Sequence, residues 1–325
     1  MLRTRVTDLF GLSYPVMSAP MAMHSGGTLA AAVSKAGGLG SFGGINPGGT
    51  DWVREQIRLV RSQTDRPFGV GFITAFLPMF AANFDVVLEE RVPVVALSFG
   101  DPAPWLAKAK DAGATTLCQV QTLEGARAAV AGGADILVAQ GNEAGGHTGA
   151  MNLLPFLTRV LDEFPDVPVM ASGGIASGRA LAAVLAAGAD GAWLGTALLA
   201  TPEAVEVADG FKQLIVASDG EDTVFTRTFD ILDGAPWPEG VGQRVYRNRA
   251  AQEWFGREGE LRQRRDELLP AYQEAQQRGD LEATAVHFGQ SAGAVSAVRP
   301  AADVLRAICD DADRLLRERA SSLIG

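Results

Sequence analysis

The chain has 325 residues, of which 47% are apolar and 20% are charged, and its formal net charge is −10. These proportions are ordinary for a folded protein with a large core, and they argue against disorder as the main state. A nucleic-acid partner is not expected, because phosphate binding requires a concentrated basic face and this chain is acidic.

Cysteine content and hydropathy bear on the cellular compartment. Cys118 and Cys309 are too few and too far apart for a disulfide framework or a zinc site. The opening MLRTRVTDLFG lacks the apolar core of a signal peptide, and the most apolar stretch, 180–200, is interrupted by Asp190 and glycines. We therefore expect a cytoplasmic protein with no membrane span and no bound metal.

Eight short apolar runs predict eight buried strands, and small-residue turns precede several of them. In chain order the predicted strands are 16–21, 39–43, 68–73, 94–99, 115–120, 136–140, 168–172 and 191–196. Segments with helical spacing, such as DWVREQIRLVRSQ, separate most of these runs. The runs are continuously apolar, as is typical of parallel strands that are covered on both faces.

This alternation predicts an α/β fold in which residues 1–205 form a (β/α)8 TIM barrel. A doubly wound sheet is the competing architecture, but no GxGxxG turn follows the first strand. Residues 206–285 change to an irregular loop and polar, charge-rich helices, which predicts a smaller, mainly helical appendage or lid. Segment 286–325 is predicted to end in an amphipathic helix that returns to the barrel.

The strand ends are the expected place for chemistry, because TIM barrels carry their active sites at the carboxyl ends of the strands. Four of these ends are rich in glycine, namely SAPMAMHSGG, QGNEAGGHTG, ASGGIASG and LGTALLATPEA. Glycines let a ligand approach the backbone, and the loops after strands seven and eight form the usual phosphate site. We therefore expect a phosphorylated cofactor, with tight turns that bind nothing as the alternative.

Several segments resemble one known family. GLSYPVMSAPMA, AAAVSKAGGLGSFGG, AQGNEAGGHTG and VMASGGIASGRALAAVLAAGADGAWLGTALL are similar in order and spacing to the FMN-dependent nitronate monooxygenases, formerly called 2-nitropropane dioxygenases. GQSAGAV near the C-terminus also matches. The resemblance implies bound FMN and oxidation of nitronates or nitroalkanes with O₂ to a carbonyl compound and nitrite. FMN-dependent NAD(P)H reductases of the enoyl-acyl-carrier-protein or quinone type share these motifs, and a flavin-binding protein without turnover is a third reading.

The resemblance also implies a set of cofactor-binding residues. The set is Ala19, Pro20, Met21, Gly71, Gln119, Gln140, Gly145, Gly146, Ser172, Gly173, Gly174, Leu194, Gly195, Thr196 and Gln290. Its first three members would lie along the isoalloxazine ring, Gln140 near the polar edge of the ring, and the residues after the last two strands at the phosphate. Gly71 stands where many family members have an asparagine, so another group must supply that hydrogen bond to the flavin.

His147 is the predicted catalytic residue. A neutral imidazole near pH 7 can accept a proton from a nitroalkane or orient an anionic nitronate, whereas the alternative is a loop histidine with a surface hydrogen bond. Met23 and His24 are assigned to the substrate pocket, with a structural role for His24 left open. Glu143 is interpreted as a loop or capping carboxylate, and His287 as a packing residue of the appendage.

The expected partners are a small-molecule substrate, a nitronate or nitroalkane, and O₂. A homodimer is compatible with the sequence, which does not define the oligomeric state, the physiological substrate, or the choice between monooxygenase and reductase.

Overall fold

A barrel of parallel strands is the centre of the computed structural model, which describes residues 2–323. Met1 and residues 324–325, the outer ends of the predicted first and last segments, lie outside the described residues. The strands in chain order are β1 (Val16–Ser18), β2 (Gly40–Gly43), β3 (Phe68–Ile73), β4 (Val94–Ser98), β5 (Thr115–Val120), β6 (Ile136–Gln140), β7 (Gly146–Thr148), β8 (Val169–Ser172), β9 (Gly191–Leu194), β10 (Thr223–Thr226) and β11 (Gly242–Tyr246).

Eight of these strands are hydrogen-bonded in the order β1-β9-β8-β6-β5-β4-β3-β2, all in parallel. A parallel bridge between Met17 and Leu39 joins the two end strands, so the sheet closes on itself. The predicted (β/α)8 TIM barrel is therefore confirmed. The first and eighth strands end earlier than predicted, because Pro20 cannot donate to a sheet ladder and Gly195 turns the chain into a helix.

Helices cover the outside of the barrel and form much of the rest of the chain. The helices of the barrel region are α1 (Arg5–Phe10), α2 (Gly27–Ala36), α3 (Gly49–Gln63), α4 (Ala81–Glu89), α5 (Ala103–Asp111), α6 (Leu123–Ala131), α7 (Leu153–Glu163), α8 (Gly178–Ala186) and α9 (Thr196–Leu199). Those that follow are α10 (Asp209–Ala217), α11 (Thr228–Asp233), α12 (Arg249–Trp254), α13 (Glu258–Arg278) and α14 (Ala301–Leu323), and 3₁₀ turns span Thr74–Met79 and Gln290–Ala294.

Local sequence explains where the covering helices begin. The Thr122 hydroxyl accepts a hydrogen bond from the Gly125 amide at the start of α6, and the Ser177 hydroxyl accepts one from the Ala180 amide at the start of α8. The apolar faces of the helices pack on the sheet, while side chains such as Met17, Leu117 and Met170 fill the barrel interior. α14 lies against α2 and α8 on the outside of the barrel.

Residues 206–285 contain two strands that the sequence analysis does not predict. β10 pairs with β11, and β11 pairs with β7, in a three-stranded antiparallel sheet. The register places Gln243 opposite His147. Because β7 lies between two barrel strands in the sequence, this small sheet attaches the appendage directly to the predicted catalytic loop. Within residues 2–323, no helix is long and apolar enough to cross a membrane.

Candidate active site

A cavity of about 310 Å³ opens at the carboxyl ends of the barrel strands. Most of the residues predicted from strand ends line it, namely Ala19, Pro20, Met21, Met23, His24, Gly71, Gln119, Gln140, Gly145, Gly146, His147, Ser172, Gly173, Gly174, Gly195 and Thr196. Two predicted residues do not line it. Leu194 is fully buried in the large core cluster, and Gln290 is exposed while its neighbour Ser291 lines the cavity.

His147 is held on β7 by contacts to both its backbone and its ring. Gln140 Nε2 donates a hydrogen bond of 3.0 Å to the His147 carbonyl oxygen, and the ring Nε2 lies 2.7 Å from Asp230 Oδ1. A carboxylate accepts hydrogen bonds, so the ring donates through Nε2, and the tautomer of a neutral imidazole that fits this contact has its lone pair on Nδ1. The His147–Asp230 pair is largely shielded from solvent, since the His147 side chain is 16% exposed and the Asp230 side chain is 4% exposed.

Asp230 is a site residue that the sequence analysis misses. It lies on α11, in the segment interpreted as an appendage, and 83 positions separate it from His147. Its Oδ1 also accepts a 2.7 Å hydrogen bond from Gln243 Nε2, whereas Oδ2 is buried with no hydrogen-bond partner among the described residues. No local motif marks the residue, because FDILDG has the pattern of an ordinary amphipathic turn.

All three histidines of the chain line the cavity, so the interpretation of His287 as a packing residue of the appendage is incomplete. His287 Nε2 donates to Gln243 Oε1 at 2.7 Å, which extends the hydrogen-bond chain from Asp230. Burial lowers the pKa of His287 well below its usual value, and His24 and His147 add to this effect. Burial also lowers the pKa of His24, against a hydrogen bond to the Ala22 carbonyl. Both rings are therefore neutral at pH 7.

Aromatic side chains cover the His147 ring. Trp237 stacks on it with ring centroids 3.4 Å apart and an interplanar angle of 15°. Edge contacts join Trp237 to Phe76 and Phe99, with centroid distances of 4.9 and 5.4 Å. Phe99 has a φ of +57°, an unfavourable conformation for an aromatic residue that is more often found at functional sites than elsewhere. The rule that selects strand ends could have identified Phe99, but nothing in the loop sequence APWPEG identifies Trp237.

The glycine-rich loops after β8 and β9 form the other side of the cavity. Gly173 and Gly174 have φ values of +107° and +70°, the left-handed region in which a side chain is strained. A Cβ atom on Gly173 would come within 2.9 Å of the Gly141 carbonyl oxygen, which leaves no room for another residue. On the β9 side, the Thr196 hydroxyl accepts a hydrogen bond from the Gly289 amide at 2.9 Å, so the last segment of the chain is tied to this loop.

Comparison with known proteins assigns the chain to a protein family. The family model described as nitronate monooxygenase matches it over residues 3–81 and 74–311. The chain belongs to the nitronate monooxygenase family. Proteins of this family are flavoproteins.

Three similar proteins illustrate the range of relatives. The chain is 35% identical over 235 residues to the (3aS,4S,5R,7aS)-5-hydroxy-7a-methyl-1-oxo-octahydro-1H-indene-4-carboxyl-CoA dehydrogenase of Rhodococcus jostii. That match covers 72% of this chain and 65% of the relative, so the chain spans slightly less than two thirds of its length. Among solved structures, FabK from Thermotoga maritima has a TM-score of 0.87 at 32% identity, over 99% of this chain and 100% of that one. A nitroalkane oxidase from Streptomyces ansochromogenes has a TM-score of 0.81 at 32% identity, over 98% and 99% of the two chains.

The cavity of this family member has polar groups without a hydrogen-bond partner among the described residues. Trp193 lines the cavity, and its Nε1 is buried without a hydrogen-bond partner. Gln119 lines the same wall, and its amide makes no hydrogen bond within residues 2–323. A buried donor without a partner is costly, so a polar ligand atom opposite it would be stabilised. The residues present therefore fit a flavin.

The side chains of Gln140 and Glu143 make hydrogen bonds within the protein. The Gln140 amide is engaged with the His147 carbonyl and, at 2.9 Å, with Gln121 Nε2. The Glu143 carboxylate accepts from the Leu153 amide at 3.0 and 3.1 Å at the start of α7, which is the capping role expected for it. The Glu143 carboxylate is therefore not free to act as a second base.

Proposed function

We propose that the chain is an FMN-dependent nitronate monooxygenase that oxidises nitronates or nitroalkanes with O₂ to a carbonyl compound and nitrite. The observation that carries the proposal is the His147–Asp230 pair beside the cavity. Its Nε2–Oδ1 distance is 2.7 Å, and the carboxylate fixes the tautomer with a basic Nδ1. A base oriented in this way suits removal of the acidic proton next to a nitro group.

In this reaction the protein would bind and orient the flavin and the substrate, and it would exclude water from the cavity. The amides after β8 and β9, at Gly173, Gly174 and Thr196, would hold the FMN phosphate, and Gln119 and Trp193 would meet the polar edge of the ring. When bound, FMN would accept electrons from the substrate and deliver them to O₂. A nitroalkane would give its proton to His147, whereas a nitronate arrives already deprotonated.

The decisive experiment is His147→Ala assayed with both forms of one substrate. Turnover of the neutral nitroalkane should fall by about 10²- to 10⁴-fold, and that of the preformed nitronate should fall less. FMN should stay bound, as measured by flavin absorbance and by the mass of the released cofactor. His24→Gln is the matched control, because this ring faces the same cavity without a carboxylate partner, and it should not produce the selective loss. Equal losses for both substrate forms would contradict the proposal.

An FMN-dependent NAD(P)H reductase is the second candidate. The similarity to FabK over nearly the whole chain favours it, as does the similarity to a CoA-ester dehydrogenase. Anaerobic mixing with NADH separates the two candidates. Slow bleaching of the flavin together with fast nitronate turnover would support the monooxygenase, and fast bleaching with negligible nitronate turnover would support the reductase.

A further inference from the structure

A second pocket lies next to the base but outside the flavin cavity. It encloses about 420 Å³, and its lining residues are Arg227, Asp230, Ile231, Gly234, Ala235, Arg262 and Arg265. Three guanidinium groups thus meet one carboxylate, in a chain whose net charge is −10. Because like charges repel, such a cluster of cations in an acidic protein indicates an anionic ligand.

The hydrogen bonds of the three arginines leave much of this positive charge unpaired. Arg227 has a buried Nε without a partner, and within residues 2–323 its guanidinium makes no hydrogen bond or ion pair. Arg262 donates only to the Glu258 carbonyl, at 3.3 Å. Arg265 donates to the Ile231 carbonyl at 2.9 Å and pairs with the exposed Asp266 at 3.2 Å. The donors of Arg227 are therefore available to a ligand.

The second pocket and the flavin cavity share a wall. Asp230 lines the pocket, while its Oδ1 bonds to His147 in the cavity. Residues 234–235 line the pocket, and Trp237, two positions later, stacks on His147. A ligand whose anionic end is bound in the pocket would therefore lie on the far side of Asp230 from His147. An extended molecule bound in this way could place its reactive end at His147.

We propose that this pocket binds the phosphate group of an extended substrate or cosubstrate of the His147 site. Planar guanidinium groups bind phosphate oxygens through paired hydrogen bonds, and three of these groups line this pocket. Two sources share this chemistry, the nucleotide part of a CoA thioester and that of NADPH. The assignment of the ligand as a reactant rests on the second candidate function, the NAD(P)H-dependent reductase, whereas phosphate binding does not.

Equilibrium binding to the flavin-loaded protein tests the proposal without turnover. The probes for calorimetry are inorganic pyrophosphate, CoA, dephospho-CoA, NADPH and NADH. Arg227→Gln should weaken pyrophosphate binding by about 10- to 100-fold, the effect of one charged hydrogen-bond donor, and added salt should weaken it as well. Arg249→Gln is the control, because it removes the same charge from an exposed site on α12 outside the pocket.

Comparison of the CoA and NADPH probes identifies which molecule supplies the phosphate. Binding of CoA that is tighter than that of NADPH, and lost in Arg227→Gln, would support a thioester ligand, and the reverse order would support the dinucleotide. The proposal is overturned if no probe binds saturably, or if Arg227→Gln and Arg249→Gln behave alike. Should Arg227→Gln not fold, the exposed Arg262→Gln gives the same comparison with a smaller expected loss. Because no step of the assay needs turnover, failure of the nitronate reaction would not affect the outcome.

Discussion

At the scale of single residues, the proposed base His147 depends on partners that are distant in the sequence. Asp230 receives hydrogen bonds from His147 and Gln243, and Gln243 in turn accepts from His287. Each of these three hydrogen bonds has a donor–acceptor distance of 2.7 Å, and each donor in the series faces an acceptor. The function of Asp230 is therefore to fix which nitrogen of His147 carries the proton.

Replacing Asp230 by asparagine tests this positioning role. The amide can present N–H to Nε2, which favours the tautomer with the proton on Nδ1 and removes the base. We expect nitroalkane turnover to fall about as much as in a general-base deletion, ~10²-fold or more, while nitronate turnover falls less and flavin content is unchanged. Asp233→Asn on the same helix is the control, since its side chain bonds to Tyr272 and Gln276 instead. Unchanged nitroalkane kinetics in Asp230→Asn would remove Asp230 from the mechanism.

Gly71 is the residue at which this chain departs from the asparagine of many family members. A Cβ atom there would come within 2.2 Å of Pro20 Cγ, so the pyrrolidine ring occupies the space that the asparagine would need. Gly71→Asn should lower the free energy of unfolding by about 1–3 kcal/mol through overpacking. Combining it with Pro20→Gly should recover part of that loss beyond additivity, as measured by urea unfolding of both single variants and the double variant. A fully additive result would show that the two residues do not compete for this space.

Single residues at strand ends could be predicted from the sequence, whereas their partners could not. His147, Gly173 and Gly174 follow apolar runs, and the chain geometry of a barrel brings such positions together. Asp230 and Trp237 lie in irregular or helical segments with no periodic signal, and only tertiary packing places them beside His147. Their contribution depends on long-range contacts, which local patterns do not encode.

At the scale of elements, the sheet of β7, β10 and β11 determines where the catalytic loop lies. Arg244 on β11 is its main connection to the loop before β7. Nε of Arg244 donates to the Asn142 carbonyl at 2.7 Å, one terminal nitrogen bonds to the Asn142 side chain, and the other donates to the Thr223 hydroxyl at 3.2 Å. Burial lowers the pKa of Arg244, with Glu143 as the nearby acidic group that opposes this shift. The sequence predicted the loop but not the sheet, because β7 and its partner strand are far apart in the chain.

Replacing Arg244 by methionine should loosen this connection. Leaving the Asn142 groups without their donor should cost about 1–3 kcal/mol of unfolding free energy, and turnover of both substrate forms should fall, since the whole loop moves. Hydrogen exchange of residues 142–149 should become faster than in the parent protein. Arg249→Met serves as the control on the neighbouring helix. Unaltered exchange in this loop would mean that backbone pairing alone holds β7.

At the scale of the whole molecule, burial of His24 and His287 links stability to pH. Their pKa values are lowered in the folded protein, so below about pH 6.5 the unfolded chain binds more protons than the folded one. The free energy of unfolding should therefore decrease as the pH falls from about 6.5 towards these lowered pKa values. Each such histidine contributes at most about 1.4 kcal/mol per pH unit to the slope.

His287→Gln isolates the contribution of one histidine. Glutamine can still donate to Gln243, but it does not titrate, so the loss of stability between pH 7.5 and 5.5 should be smaller than in the parent protein. Denaturant unfolding at both pH values measures the difference, and carboxylate titration is common to both proteins. Identical pH slopes would show that His287 is not a source of acid sensitivity.

The pairing of β7 with β11 also has a consequence for the order in which the protein is made. A ribosome synthesises the eight barrel strands, which end at Leu194, before it translates Asp230 or residues 242–246. A nascent chain of this length already carries Gly173 and Gly174 after β8, but it has neither the carboxylate nor the strand that holds His147. Since the N-terminal parts of a chain fold first during synthesis, the barrel strands can assemble before Asp230, Trp237 and His287 complete the cavity around His147. The proposed base is then held in place only after residues 230 and 242–246 have been made.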